Sequence, residues 1–294
     1  MNSKTLKTTI VNIYEKLRYK NVKVTLLNGD EKILKKKRSM VPFWLILILI
    51  IIVISFLFIE IPNNVRFDQF SNIFKQMFVP SEWSLKTWDG YWQYLFDTAV
   101  PKIMSTIEMV SIATFIGTII FIPFFIIASS NIFPSKWVHM PVRIILNIFR
   151  SIPTFVLAVI ATVFFGFNET SGIVAMALFT GGVLFKLMYE YIETCDMNPF
   201  EASRSTGAGT MQAYMISIAP QVKPTFISNI IYVFEINVRA SVILGFVGAG
   251  GIGQLLSDAI ESTQYDKVGA ILMPLFITVV ALQLISSYLR RKVQ

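Results

Sequence analysis

Three polar residues lie close together in an apolar stretch of the second half of the chain. Glu235, Asn237 and Arg239 fall within residues 226–247, a run that is long enough to cross a membrane as a helix. An ionisable side chain near the bilayer centre costs roughly 2.5–3.5 kcal/mol on insertion scales, so it must face protein or water. Because Glu235 and Arg239 are four residues apart, they share one face of the predicted helix.

Two interpretations of this polar stripe remain open at the level of sequence. In the first, Glu235 and Arg239 neutralise each other inside a bundle of helices. In the second, Glu235, Asn237 and Arg239 line a translocation path through the membrane, where Arg239 attracts an anion. Glu108, in an earlier apolar run, is an alternative partner for Arg239 from another helix.

Residues suited to catalysis or nucleotide binding are scarce. His139 and Cys195 are the single histidine and the single cysteine, too few for a conventional metal cluster or an activated Cys–His pair. The sequence has no G-x4-G-K-[ST] phosphate-binding motif, so any ATP would be hydrolysed by a separate subunit. The glycines at 248, 250 and 253 spell a dinucleotide fingerprint, but they follow a predicted membrane helix and lack the required strand. We therefore predict that the chain is no enzyme and holds no cofactor or metal.

The overall composition is that of a membrane protein. Of the 294 residues, 54% are hydrophobic, which predicts several membrane spans. Residues 1–40 carry 11 of the 26 lysines and arginines and run directly into the first apolar stretch. We predict that they form a basic cytoplasmic segment whose partner is anionic membrane lipid and not nucleic acid. Within this segment, residues 22–35 have the pattern of a small hairpin around the Asn28-Gly29 turn.

The rest of the chain, residues 41–294, is predicted to be an all-α transmembrane domain with its core at residues 100–290. Its apolar runs predict about six membrane helices, at residues 41–61, 103–128, 152–167, 172–188, 226–247 and 268–289. Both termini are predicted to be cytoplasmic from the basic residues at 35–38, 136–143 and 290–292.

Three segments of this domain carry further expectations. Residues 62–102 are predicted to be a polar, aromatic loop on the outer side. Residues 137–149 are predicted to lie in the membrane interface, because the sequence that follows them breaks the apolar pattern. Residues 172–182 are rich in glycine and alanine, which favours close packing of helices.

Residues 196–224 form the longest polar break in the second half of the chain and read as a helix–turn–helix. Asn198 is expected to cap a first short helix, and Gly207 is expected to end it with a left-handed residue. Thr210 is expected to cap a second helix, which Pro220 would stop. The pattern alone also fits an amphipathic connector on the membrane surface.

This stretch resembles the EAA loop of ABC-importer permeases, whose pattern is EAA-x3-G-x9-I-x-L-P. The matching positions are Glu201, Ala202, Gly207 and Pro220. The departures are Ser203 for the second alanine, Ser217 for the isoleucine and Ala219 for the leucine. The resemblance implies that these matching residues form a cytoplasmic coupling helix, which sits in a groove of the ATPase.

A second resemblance is more specific. Residues 234–253, FEINVRASVILGFVGAGGIG, are very similar to the corresponding segment of phosphonate ABC-transporter permeases. Further similar segments are residues 79–84, 150–153 and 181–187. The likeness covers roughly residues 78–290 and leaves the basic segment outside. Its glycine-rich loop, residues 248–253, is shared with methionine-type permeases.

The resemblance implies one half of a type I importer in the cytoplasmic membrane of a prokaryote. Two permease chains, identical or paired paralogues, would form the pore. Two ATPase subunits would use the ATP, and an extracytoplasmic binding protein would deliver phosphonate, phosphite, phosphate or a phosphorylated small molecule. Four glycines of the outer loop are assigned to an outer gate or to contact with the binding protein: Gly248, Gly250, Gly251 and Gly253. A secondary transporter or channel that needs no ATPase is the alternative.

Overall fold

The structure, a computed structural model, describes residues 19–25, 31–37, 41–58, 67–81 and 84–293. The contacts within the chain divide it into two compact units, residues 1–66 and residues 67–294. The predicted division into a cytoplasmic segment, residues 1–40, and a transmembrane domain, residues 41–294, is a statement about the membrane and stays a prediction.

The first unit contains a hairpin and one apolar helix. Strands β1 (Tyr19–Thr25) and β2 (Glu31–Lys37) pair antiparallel, with Tyr19 opposite Lys37 and Thr25 opposite Glu31. The hairpin pairing is thereby confirmed, while its turn lies outside the described residues. Helix α1 (Val41–Phe58) covers most of the first predicted span, and residues 59–61 of that span are also outside the described part.

The second unit is built of helices, and its described residues contain no strand. They are α2 (Phe67–Phe78), α3 (Trp88–Ala128), α4 (Lys136–Ser151), α5 (Thr154–Phe165), α6 (Glu169–Glu193), α7 (Asn198–Ser205), α8 (Thr210–Gly245), α9 (Gly251–Glu261) and α10 (Tyr265–Val293). The prediction of an all-α transmembrane domain is confirmed. The loop predicted at residues 62–102 is wrong in part, because α2 and the beginning of α3 lie there.

The count of six spans is not confirmed. Among the described residues, four helices are long and apolar enough to cross a membrane, namely α3, α6, α8 and α10. Helices α4 and α5 qualify only as a pair, and they are bent by 91° at their junction. With 12 residues α5 is about 18 Å long, well short of a hydrocarbon core of about 30 Å. The apolar part of α1, Phe43–Phe56, is also short for a span.

Helix α4 fits the predicted position in the membrane interface. It is amphipathic, and the side chain of Trp137 near its beginning is exposed, as are apolar residues along one face. On the other face, Arg143 donates a hydrogen bond to the carbonyl of Ala128 (2.7 Å) and forms an ion pair with Glu193. These contacts hold α4 against the ends of α3 and α6.

The small residues of α6 pack directly against α3, as the composition of residues 172–182 predicted. A Cβ atom on Gly181 would lie 2.1 Å from the ring of Phe121. A Cβ atom on Gly117, on the facing helix, would lie 2.4 Å from the carbonyl oxygen of Ala177. Helices α3 and α6 therefore approach so closely that only glycine fits at these crossing points.

The prediction that Pro220 ends a helix is wrong. Helix α8 runs without a break from Thr210 to Gly245 and contains both Pro220 and Pro224. A π-helical turn, Tyr214–Ile218, directly precedes the α-helical part. The wider π turn moves the preceding carbonyls away from the proline ring, so Pro220 enters without the usual clash. The same arrangement occurs in α3, where a π turn at Leu95–Ala99 precedes Pro101.

Candidate functional site

The short helix α7 has the ends that the sequence indicated, with a shift of one residue at its beginning. Asn198 is the first helical residue and not the cap, because Asp196 Oδ1 accepts a hydrogen bond from the Asn198 amide (3.0 Å). Glu201 lies in the first turn, where the helix dipole favours an anion. Gly207 ends the helix with φ +92°, as predicted.

The end of α7 is a complete Schellman motif. The Gly207 amide donates to the Arg204 carbonyl (3.0 Å), and the Ala208 amide donates to the Ser203 carbonyl (3.2 Å). Helix α8 then begins with Gly209 as its cap, one residue before the predicted Thr210. The Gly209 amide donates to Gln212 Oε1 (2.9 Å), which satisfies one of the free donors at the helix beginning.

Two of the three departures from the EAA pattern contact each other. The hydroxyls of Ser203 in α7 and Ser217 in α8 lie 3.0 Å apart, and both donate to the carbonyl of Pro199, at 2.8 and 3.0 Å. Each serine had looked like a mismatch to the pattern. The two serines are 14 positions apart, and their hydroxyls can share the Pro199 carbonyl only after α7 and α8 pack, so the sequence alone did not reveal the pair.

These shared hydrogen bonds form a first clamp between α7 and α8, and a second clamp, one turn further along α8, holds the turn that precedes α7. The Gln221 side chain donates to the Asp196 carbonyl (3.1 Å) and accepts from the Asp196 amide (3.2 Å). Phe200 anchors α7 in the apolar core beside Tyr214. Helix α7 is thereby fixed to the beginning of α8 and does not hang as a free loop.

The outer surface of α7 is open to a partner. Glu201, Ala202 and Gly207 are exposed, so their side chains or backbone are accessible from solvent. Pro220 is exposed as well but lies apart from them, in an apolar cleft of about 470 Å³ between α3 and α8. Three of the four predicted coupling residues are therefore exposed on α7 or at its end, and the fourth lies in the cleft beside α8. Their role in coupling stays a prediction.

The polar stripe of α8 is part of a three-residue ion cluster. Glu235 is buried, with 5% of its surface exposed, and pairs with Arg239 on the same helix. Its other carboxylate oxygen accepts a hydrogen bond from Arg290 of α10 at 3.1 Å. Within the described residues Glu108 forms no ion pair with Arg239. From the sequence, Arg290 indicated only that the end of the last helix is cytoplasmic, and its contact with Glu235 was not predicted.

Asn237 lies on the inner side of the same helix. It is completely buried, and its amide donates to the hydroxyls of Thr114 (3.0 Å) and Thr180 (2.7 Å). Asn237 thus fastens α8 to α3 and α6. In this conformation it faces no open surface, so its assignment to the translocation path stays a prediction that its burial does not support.

The contact of Asn237 also gives the depth of the ion cluster. Thr180 is the twelfth of the 25 residues of α6. Asn237 and its neighbours Glu235 and Arg239 are therefore level with the middle of α6, whereas Arg290 reaches Glu235 from the last turn of α10.

The four glycines of the outer loop are packed tightly between helices. Gly248, Gly250 and Gly251 have φ values of +70°, +79° and +72°, which other residues rarely adopt. Gly250, Gly251 and Gly253 are buried. The amide of Ile252 donates to the hydroxyl of Thr106 on α3 (2.8 Å), which fixes the loop in place.

Close packing accounts for these glycines without any partner. A Cβ atom on Gly253 would lie 2.1 Å from the Val242 carbonyl oxygen, and one on Gly245 would lie 2.1 Å from the Gly253 carbonyl carbon. Helices α8 and α9 therefore cross with their backbones in contact. The assignment of the glycines to an outer gate or to the binding protein stays a prediction.

The comparison with known families decides the identity of the fold. Residues 122–294, more than half of the chain, match the family described as "Binding-protein-dependent transport system inner membrane component". The chain belongs to this family. The family and the apolar helices together make the chain a multi-pass membrane component of a transport system, which confirms the resemblance to ABC permeases.

Several curated relatives of this binding-protein-dependent permease are named for the transport of phosphorus compounds. A phosphate-import permease protein of Mycolicibacterium smegmatis is 35% identical over 187 residues, which are 64% of this chain and 35% of that relative. A putative phosphite transport system permease protein of Stutzerimonas stutzeri is 36% identical over 185 residues, 63% of this chain and 66% of that relative. A putative cryptic phosphonate transport system permease protein of Escherichia coli (strain K12) is 39% identical over 117 residues, 40% of this chain and 96% of that relative.

Solved structures place the permease in the same fold class. A chain of the methionine ABC transporter MetNI, in an inward-facing conformation, matches with a TM-score of 0.58 and 25% identity. The match covers 67% of this chain and 96% of that chain. The prediction of a type I ABC importer permease fold is confirmed.

The permease spans about a third of the mycobacterial relative and about two thirds of the phosphite relative.

Proposed function

We propose that the chain is the permease subunit of an ATP-driven importer for phosphonate, or for a related phosphorus oxyanion or phosphorylated small molecule. The observation that carries this proposal is the exposed helix α7, fixed by two hydrogen-bonded clamps to the beginning of the membrane helix α8. The clamps fasten α7 to α8, so a push on α7 would be passed to the membrane helix. A helix that must pass a movement into the membrane needs such clamps.

The path of that movement follows from the continuity of α8. Its 36 residues are about 54 Å long, and the helix carries the clamp residues near one end and the ion cluster further along. Closure of two ATPase subunits would push α7 and tilt α8 with it. Repeated in a second permease chain, identical or paralogous, this movement would open the path alternately to the two sides. The ATP would be bound and hydrolysed by the ATPase subunits alone.

The substrate class is supported by the relatives and by the charge inside the membrane. The three curated relatives carry phosphate, phosphite and phosphonate in their names. The cluster of Glu235, Arg239 and Arg290 has one positive charge in excess, which suits an anionic substrate. An extracytoplasmic binding protein would select the individual compound, and the permease would conduct it.

Reconstitution tests this function directly. The permease is placed in proteoliposomes with its cognate ATPase and binding protein, and uptake of methylphosphonate, phosphite and phosphate is measured with and without ATP. We expect uptake of at least one of these anions that depends on ATP and on both partners. Uptake without the ATPase would instead identify a secondary transporter or channel and overturn the proposal.

The proposed orientation, with both termini in the cytoplasm, is tested by labelling single cysteines. Asp89 and Asp258 are exposed and lie on the predicted outer side, so each is replaced by cysteine in turn. We expect an impermeant maleimide to label both positions in intact cells. Labelling that occurs only after permeabilisation would reverse the topology.

The native cysteine must be removed first, although it is a poor target. Cys195 is partly buried, and burial raises the pKa of its thiol, which leaves less of the reactive thiolate at neutral pH. Cys195→Ser serves as the unlabelled background. Its transport activity is the control for both labelling variants.

A further inference from the structure

Two arginines from different helices share the buried carboxylate of Glu235. One oxygen pairs with Arg239 of α8, and the other accepts a hydrogen bond from Arg290 of α10. The side chains of Arg239 and Arg290 are 51% and 26% exposed. The carboxylate is thus enclosed, while about half of the Arg239 side chain and about a quarter of the Arg290 side chain are accessible from outside the single chain.

The surface to which these arginines open is not one that lipid can cover. Arg239 follows Tyr232 by seven residues, so both lie on one exposed face of α8. The guanidinium of Arg290 lies 5.8 Å from the centre of the Tyr232 ring, so it is next to this face. Arg239 is two residues from Asn237 and hence level with the middle of α6, and a cation at that depth is stable only against water or protein. This face of α8 must therefore border an aqueous path or another protein chain.

The carboxylate of Glu235 holds the two arginines so that an oxyanion could replace it as their hydrogen-bond acceptor. Each carboxylate oxygen serves a different guanidinium, so the two donors converge on a single small anion. Arginine binds carboxylate and phosphate through the same fork of N–H donors. A phosphonate or phosphate group presents pairs of oxygens at a spacing close to that of the carboxylate.

We propose that Arg239 and Arg290 form a transient binding site for a tetrahedral oxyanion, and that Glu235 is the resident anion that the passing substrate displaces. The proposal rests on the proposed function and adds to it a site and a reason for weak binding. Because the substrate must compete with Glu235, it is held loosely and released quickly. When it leaves, the carboxylate of Glu235 pairs with both arginines again.

Removal of the competing carboxylate is the informative change. Glu235→Gln leaves both arginines free for the substrate, so we expect the permease to bind an oxyanion more tightly and to release it more slowly. Loss of one charge-assisted competitor corresponds to an increase in affinity on the order of tenfold. A second change, Arg290→Gln in the same chain, removes half of the site, and we expect it to abolish the gain.

Equilibrium binding to the full permease–ATPase complex in nanodiscs measures the site apart from the binding protein. The probes are labelled methylphosphonate and inorganic phosphate, with methionine as a control that carries no phosphorus oxyanion. Uptake rates of the same variants are measured in proteoliposomes. Glu190→Gln is the matched control, since Glu190 forms an ion pair with Lys186 at the same four-residue spacing on another helix. We expect this control to bind and transport as the wild type does.

The possible results separate this site from the proposed function. If the wild type takes up phosphorus oxyanions but Glu235→Gln binds them no more tightly, the site is wrong and the importer stands. If the wild type takes up none of them, the proposed function is wrong. If Glu235→Gln lowers the melting temperature and Arg290→Gln restores it without any change in binding, the cluster is a structural ion pair and the proposal fails.

Discussion

Gly207→Val is expected to reduce transport strongly while the permease still inserts and assembles. Gly207 ends α7 with φ +92°, a conformation that costs an L-residue about 1–2 kcal/mol and a β-branched residue more. No atom lies within 4 Å of a Cβ built at this position, so the entire effect comes from the backbone. The Schellman hydrogen bonds would be lost, and α7 would end in a different direction. We expect uptake and substrate-stimulated ATP hydrolysis to fall on the order of tenfold or more.

The matched control for this change is Gly207→Asn. Asparagine tolerates the left-handed region, so it preserves the helix end while it also adds a side chain. We expect this variant to retain most of the transport activity, with both variants present in the membrane at the wild-type level. Equal transport by the valine variant and the wild type would remove the end of α7 from the coupling mechanism.

Gly253→Ala is expected to destabilise the permease itself. The new Cβ would lie 2.1 Å from the Val242 carbonyl oxygen and 2.9 Å from Gly245 Cα, and both are backbone atoms that cannot rotate away. Forcing α8 and α9 apart costs about 1–3 kcal/mol or more. For a domain of this size we expect the melting temperature of the purified protein to fall on the order of 5–10 °C.

This measurement distinguishes packing from gating. Gly209→Ala is the control, because its Cβ meets its nearest neighbour, Gln212 Oε1, at an ordinary distance of 3.4 Å and φ is −64°. We expect the control to melt within a few degrees of the wild type. A Gly253→Ala permease with unchanged stability but lost transport would show that this glycine serves the gate or the binding protein.

The elements of the fold were largely visible in the sequence because they depend on local patterns. Long apolar runs marked α3, α6, α8 and α10, since a bilayer of fixed thickness demands runs of that length. Gly207 marked the end of α7, because few other residues adopt its backbone angles. The six-span count was not confirmed, since α5 is short and its sharp bend against α4 depends on the packing of α4 against its neighbours.

The rule that proline ends a helix failed where a π turn precedes the proline. Proline normally ends a helix, yet Pro220 lies inside α8 because a π turn precedes it. The residues of this π turn have no pattern that predicts it. Helices α7 and α8 also begin one residue away from the predicted caps. The side chain of Asp196 accepts a hydrogen bond from the Asn198 amide, and the side chain of Gln212 accepts one from the Gly209 amide.

What the sequence by itself determined is the class of protein: a helical membrane permease with a short polar helix–turn–helix and a charged stripe in one span. Only the tertiary structure decided which partners these residues have. It joined Ser203 to Ser217, brought Arg290 to Glu235 and buried Asn237 against two threonines. These contacts link residues from 14 to 123 positions apart, a separation at which periodicity carries no information. They exist only because helices pack at particular registers, and that register is set by close approaches of small residues along the whole bundle.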